Sequence, residues 1–96
     1  MKLKVWYGKE WDPQIEQTYA MVKEIEVKTL EEGFIKMQGE NWSPNSEARD
    51  HIISLGLKHT SMSIGDAFQD ENGVYFVVES FGFRKCDSLP TITRRL

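Results

Sequence analysis

The strongest constraint on the fold is a change of apolar period along the chain. Leu3, Val5 and Tyr7 alternate with Lys2, Lys4 and Trp6, a period of two that an extended strand sorts onto opposite faces. From Thr29 the period lengthens, with Leu30, Phe34 and Met37 at i, i+4 and i+7, the spacing of one helix face. After Thr60 short β-branched and aromatic runs return, punctuated by Gly and Asp. Within 96 residues this order implies one α+β domain: an antiparallel sheet of four or five strands, with two short helices inserted between the N-terminal strands and a C-terminal hairpin. The domain is expected to cover residues 1–88, with 89–96 as a loose basic tail containing Pro90.

Lysines on the first strand suit a sheet edge, where they discourage pairing with other chains. Residues 15–28 support two readings. Asp12-Pro13 followed by Glu16 resembles a helix start, but Lys23-Glu24-Ile25-Glu26-Val27-Lys28 alternates strictly, which favours a strand from Thr18 to Val27. Thr29-Leu30-Glu31-Glu32 has the form of a capping box, in which Thr29 and Glu32 each satisfy the other's backbone N–H. Gly39 then suits the left-handed stop of that helix. Gly33 inside it costs about 1 kcal/mol relative to Ala and implies that another element packs closely there. A second helix follows, capped by Ser43 or Ser46, with Ala48, Ile52 and Leu55 inward and Gly56-Leu57 as a Schellman stop. Ser63-Ile64-Gly65-Asp66 reads as a turn and Ala67-Phe68-Gln69 as a short strand. Asp70-Glu71-Asn72-Gly73 reads as a hairpin loop, followed by strands over 74–79 and 81–86 with a bend around Gly82.

Charge excludes more than it identifies. The chain carries a net −3, yet residues 1–9 and 84–96 are basic while residues 10–83 hold fourteen acids against five bases. A nucleic-acid binder usually carries a basic stripe interleaved with aromatics. Here only Lys2, Lys4, Lys9, Arg84, Lys85, Arg94 and Arg95 could supply one, so direct nucleic-acid binding is disfavoured and is kept as the alternative reading. The acidic middle instead suits a partner with a basic surface. A single Cys86 excludes an internal disulfide and a thiolate cage. No apolar run approaches the ~18 residues of a membrane span, and a cytoplasmic location is expected.

No catalytic signature is present. Glu47, His51 and His59 match no zinc-ligand spacing, and neither a metal nor a cofactor is expected. Ser61, Ser63, His59 and Asp66 superficially offer a nucleophile, a base and an orienter, but turn chemistry explains them more simply. Cys86 has cationic neighbours and no histidine partner in sequence. Trp11 and Trp42 fall in expected loops, where tryptophan often anchors an interface. With Glu31, Glu40 and Asp70 they form the expected partner-binding set.

The series Thr29-Leu30-Glu31-Glu32-Gly33-Phe34, Asn41-Trp42, Ser61-Met62-Ser63-Ile64-Gly65-Asp66 and Gly82-Phe83 resembles a group of uncharacterised small proteins encoded by phages, plasmids and other mobile elements. Those proteins share a Leu-Glu-Glu-x-Phe helix, a Ser-x-Ser-Val-Gly-Asp turn, a hairpin and a Gly-Phe ending; here Ile64 stands where Val is usual. The resemblance spans residues 19–83. It implies a non-enzymatic accessory protein that binds and inhibits or modulates a host protein, such as a nucleic-acid-handling defence or transcription complex, in the manner of anti-CRISPR or anti-restriction factors. It carries over no functional residues and leaves room for a homodimer through an edge strand.

Overall fold

In the first strand, β1 (Lys2–Gly8), the alternation is realised: Leu3, Val5 and Tyr7 are fully buried while Lys2 and Lys4 are exposed. The computed structural model describes residues 1–8, 19–40, 42–43 and 47–89. Lys9, Trp11, Thr18, Asn41, Ser46, Arg94, Arg95 and the tail from Pro90 onward lie outside the described residues. The other elements are β2 (Tyr19–Glu26), α1 (Leu30–Lys36), α2 (Ala48–Ser54), β3 (Ala67–Gln69), β4 (Tyr75–Val78) and β5 (Phe83–Cys86). The five strands form one sheet in the order β2-β1-β3-β4-β5, with every pairing antiparallel.

This order corrects one expectation. β1 is an inner strand, bonded to β2 and β3, and its lysines mark the outer face of the sheet instead of an edge. Glu26 stands opposite Lys2 and Glu24 opposite Lys4, and opposite charges across a strand pair are favourable.

The helices cover the other face. Leu3, Val5, Tyr7, Ile25, Phe68 and Val78 share one apolar cluster with Met37, Ala48 and Ile52. Thr29 caps α1, its Oγ1 accepting from the Glu32 N–H at 3.1 Å. Among the described residues only this half of the capping box forms; Glu32 is exposed and does not reach back. Gly39, at φ +62, follows the helix. α2 ends as the Gly56-Leu57 pair implies: Leu57 N–H reaches the Ile52 carbonyl and Gly56 N–H that of Ile53, both at 3.0 Å, the two bonds of a Schellman motif. Its start differs from expectation. The cap is Glu47, without a side-chain cap bond, and Ser43 Oγ instead accepts from the Glu47 N–H at 3.0 Å.

Gly33 marks a close approach between the layers. A Cβ at this position would lie 3.0 Å from Phe68 Cζ and 3.5 Å from Ile25 Cδ1, and Phe68 is fully buried. Gly33→Val is therefore expected to cost about 2 kcal/mol through overpacking, read from the urea midpoint. Adding Phe68→Leu, which shortens the opposing side chain, should leave the double variant less destabilised than the sum of the two singles. Strict additivity would refute the contact.

Candidate functional site

Asp66 is the buried polar or charged residue of the described core, at 3% exposure. Its Oδ1 accepts from the Gly8 N–H at 2.8 Å. Its Oδ2 accepts from the Ser63 N–H at 2.8 Å and faces His59 Nε2 at 2.9 Å. A buried carboxylate is tolerated when donors surround it, and here they come from the end of β1, from its own turn and from the loop after α2. Asp66 accepts from both backbone N–H groups, so the proton of the His59 contact sits on Nε2. That hydrogen bond raises the His59 pKa above its ordinary value, opposed by partial burial and aided by the charge of Asp66. The imidazole stacks on the Tyr7 ring, with centroids 4.8 Å apart and planes 11° from parallel. Tyr7 donates to the Thr60 carbonyl at 2.8 Å, and burial foremost, with Asp66 adding to it, pushes its hydroxyl pKa well above the usual range.

The hydroxyls near this pair have other work. Ser61 Oγ accepts from the Gly39 N–H at 2.6 Å and Ser63 Oγ donates to the Ser61 carbonyl at 3.3 Å. His59 is bonded to Asp66 and to neither serine. The other histidine, His51, donates from Nε2 to the Val22 carbonyl at 2.7 Å, at the place where the β1–β2 register shifts. No cluster of three metal-ligating side chains occurs among the described residues.

The expected partner-binding residues do not converge. Trp42 is 5% exposed; its indole N–H donates to the Thr60 carbonyl at 2.9 Å and its own carbonyl accepts from Lys23 Nζ at 2.8 Å. It is a core residue, which corrects its assignment as an exposed anchor. Asp70 is also committed internally, its Oδ1 accepting from the N–H groups of Asn72 and Val74 to close the β3–β4 hairpin. Glu31 and Glu40 are exposed, and Glu31 borders a cavity. Trp11 lies outside the described residues.

That cavity is a groove of about 520 Å³ between α1 and the β4–β5 turn. It is lined by Phe34 and Ile35, by Ile64, and by Val78 and Phe83, with Glu31 and Glu79 as its charged residues among those described. Ile35 and Ile64 are 70% and 67% exposed, and Phe81, between the lining residues Ser80 and Gly82, is 98% exposed. Phe81 tips a four-residue turn closed by the Glu79 N–H to the Gly82 carbonyl at 2.9 Å, with Gly82 at φ +83. Period reading missed this patch because its residues come from a helix, a turn and a hairpin that only the sheet order brings together.

No family model, curated protein or solved structure matches the chain.

The basic residues of the alternative reading are dispersed. Lys2 and Lys4 lie on β1 opposite glutamates, Arg84 pairs with Glu79 at 3.1 Å, and Lys9, Arg94 and Arg95 lie outside the described residues. Cys86 lies on β5, where Arg84 Nη1 approaches its sulfur at 3.3 Å. No helix among the described residues is long and apolar enough to cross a membrane.

Because the folded pKa of His59 is raised, the pair's contribution is fully present below the unfolded value of about 6.5 and is lost as pH rises through the folded value. The ring is 36% exposed, so screening holds the effect to about 1 kcal/mol or less. The urea midpoint of the wild type should therefore fall across that window more than that of His59→Gln; identical profiles would show that the pair carries no charge assistance. Asp66→Ala, which strands two backbone donors and the imidazole, should cost about 3–5 kcal/mol in the same measurement at pH 6.

Proposed function

We propose that this chain is a non-enzymatic binding protein whose working surface is the groove between α1 and the β4–β5 turn. The carrying observation is the exposure of Ile35, Ile64 and Phe81 around an apolar cavity whose charged lining residues, among the described ones, are the carboxylates of Glu31 and Glu79. Contiguous exposed apolar surface with a polar rim is the usual mark of a protein-docking site. Glu79 already pairs with Arg84, and Glu31, with no ion pair among the described residues, selects the occupant: a protein segment presenting an aromatic or aliphatic side chain beside Lys or Arg. The resemblance to mobile-element proteins makes that partner a host protein, one whose basic working surface suits an acidic ligand. Internal hydrogen bonds of Ser61 and Ser63, with His59 held by Asp66, support a non-enzymatic reading. The dispersal of Lys2, Lys4, Arg84 and Lys85 over separate strands ranks nucleic acid below a protein partner.

Selection of random peptides on the immobilised protein tests the reading. Enriched sequences should pair a bulky apolar residue with adjacent Lys or Arg, and enrichment should vanish on an Ile35→Ser, Phe81→Ser variant whose exposed sites leave folding intact. Equal enrichment on both proteins, or acidic flanks, would overturn it. So would sedimentation showing a dimer that the same substitutions dissociate, since the groove would then be filled by a second copy of this chain.

A further inference from the structure

The turn at residues 63–66 separates two depressions: Ile64 lines the apolar groove, whereas Ser63 lines a second opening of about 500 Å³. Arg49, Ile52 and Ile53 of α2 form one wall of this second depression, and residues 58–61 with Ser63 form the other. Its charge is opposite to that of the surrounding sequence. Residues 10–83 carry fourteen acids and five Lys or Arg, yet among the described residues this opening is lined by Arg49 and Lys58 and by no acid, with Lys58 already engaged in another interaction. Arg49 is exposed and makes no ion pair among the described residues.

Orientation of His59 adds a donor to that of Arg49. Nε2 is held by Asp66 at 2.9 Å, with Asp66 itself fixed by the Gly8 and Ser63 N–H groups. Stacking on Tyr7 fixes the plane of the ring. The nitrogen that remains is Nδ1, on a ring 36% exposed that belongs to the lining. In the protonated ring it is an N–H donor whose orientation costs nothing further on binding. Thr60 lies on the same wall, whereas the Ser63 hydroxyl already donates to the Ser61 carbonyl. A guanidinium fork and an imidazole N–H suit an anion with several oxygens, and Arg is the side chain whose geometry matches phosphate. The volume exceeds that of a phosphate ion, and Ile53, 64% exposed, offers an apolar wall to whatever group the phosphate carries.

We infer that this depression binds a phosphomonoester, with Arg49 and His59 engaging the phosphoryl oxygens and the organic group lying against Ile53. This site is independent of the groove proposed above as a protein-docking surface.

Calorimetric titration with phenyl phosphate, inorganic phosphate and phenol, together with amide chemical-shift mapping, tests it. Phenyl phosphate should bind saturably and more tightly than inorganic phosphate, phenol should not bind, and the shifts should concentrate at residues 49, 53 and 58–63. Arg49→Gln, at an exposed helix position, should weaken phenyl phosphate by about tenfold or more without changing the urea midpoint. Absence of saturable binding by the wild type, equal affinity of Arg49→Gln, or shifts confined to other surfaces would overturn the assignment. A phosphotyrosyl peptide identifies the source: tighter binding than phenyl phosphate points to a phosphorylated side chain of a partner, and weaker binding to a free small molecule, either outcome retaining the site.

Discussion

The fold turns on one buried carboxylate. Asp66 collects the backbone N–H of Gly8 at the end of β1, the N–H of Ser63 in its own turn and the imidazole of His59. Of these three groups the most distant, Gly8, lies 58 positions from Asp66 in sequence. The cost of burying the charge is met only when all of them are in place, so the carboxylate specifies a single arrangement of β1 against the loop that precedes β3. The same arrangement stacks His59 on Tyr7 and brings the Tyr7 hydroxyl to the Thr60 carbonyl. Trp42 donates to that same carbonyl, which ties the connection between the helices into the network.

A second, smaller irregularity serves the helix layer. The register of β1 against β2 passes from Val5 opposite Lys23 to Trp6 opposite Met21, leaving Val22 without a partner in the ladder. A bulge of this kind frees backbone groups that must bond elsewhere, and His51 of α2 donates to the Val22 carbonyl. Lys23, next to it, uses its ammonium to bind the Trp42 carbonyl and lies 6.0 Å from the centroid of that indole. The bulge thus fixes where α2 and the Trp42 segment sit on the sheet, and it explains why a tryptophan in an irregular segment is interior.

Polar order and apolar exposure are segregated in the molecule. The Asp66 network organises the end of β1 and the loop after α2, while the opposite flank of the 63–66 turn leaves Ile64 exposed beside Ile35 and Phe81. Stability does not require that exposure, because the main cluster is closed by Leu3, Tyr7, Met37, Ile52 and Phe68 without it. Ile35, Ile64 and Phe81, exposed and outside that cluster, are the feature on which the binding reading rests.

Local chemistry in the sequence was sufficient to determine the elements. The period-two run of β1, the Thr29 cap, the Gly56-Leu57 stop, the Asp70-Gly73 hairpin and the close approach at Gly33 all follow from interactions within a few residues, or from the absence of a side chain, and all appear in the structure. The sheet order, the interior place of Trp42 and β1, the unsatisfied second half of the capping box and the partnership of Asp66 with His59 were decided by tertiary packing. Burial and long-range pairing are properties of neighbours distant in sequence, and neither periodicity nor local propensity encodes which neighbours those are. The same holds for the groove: its residues are unremarkable singly in sequence, and only the meeting of α1 with the β4–β5 turn makes them one surface.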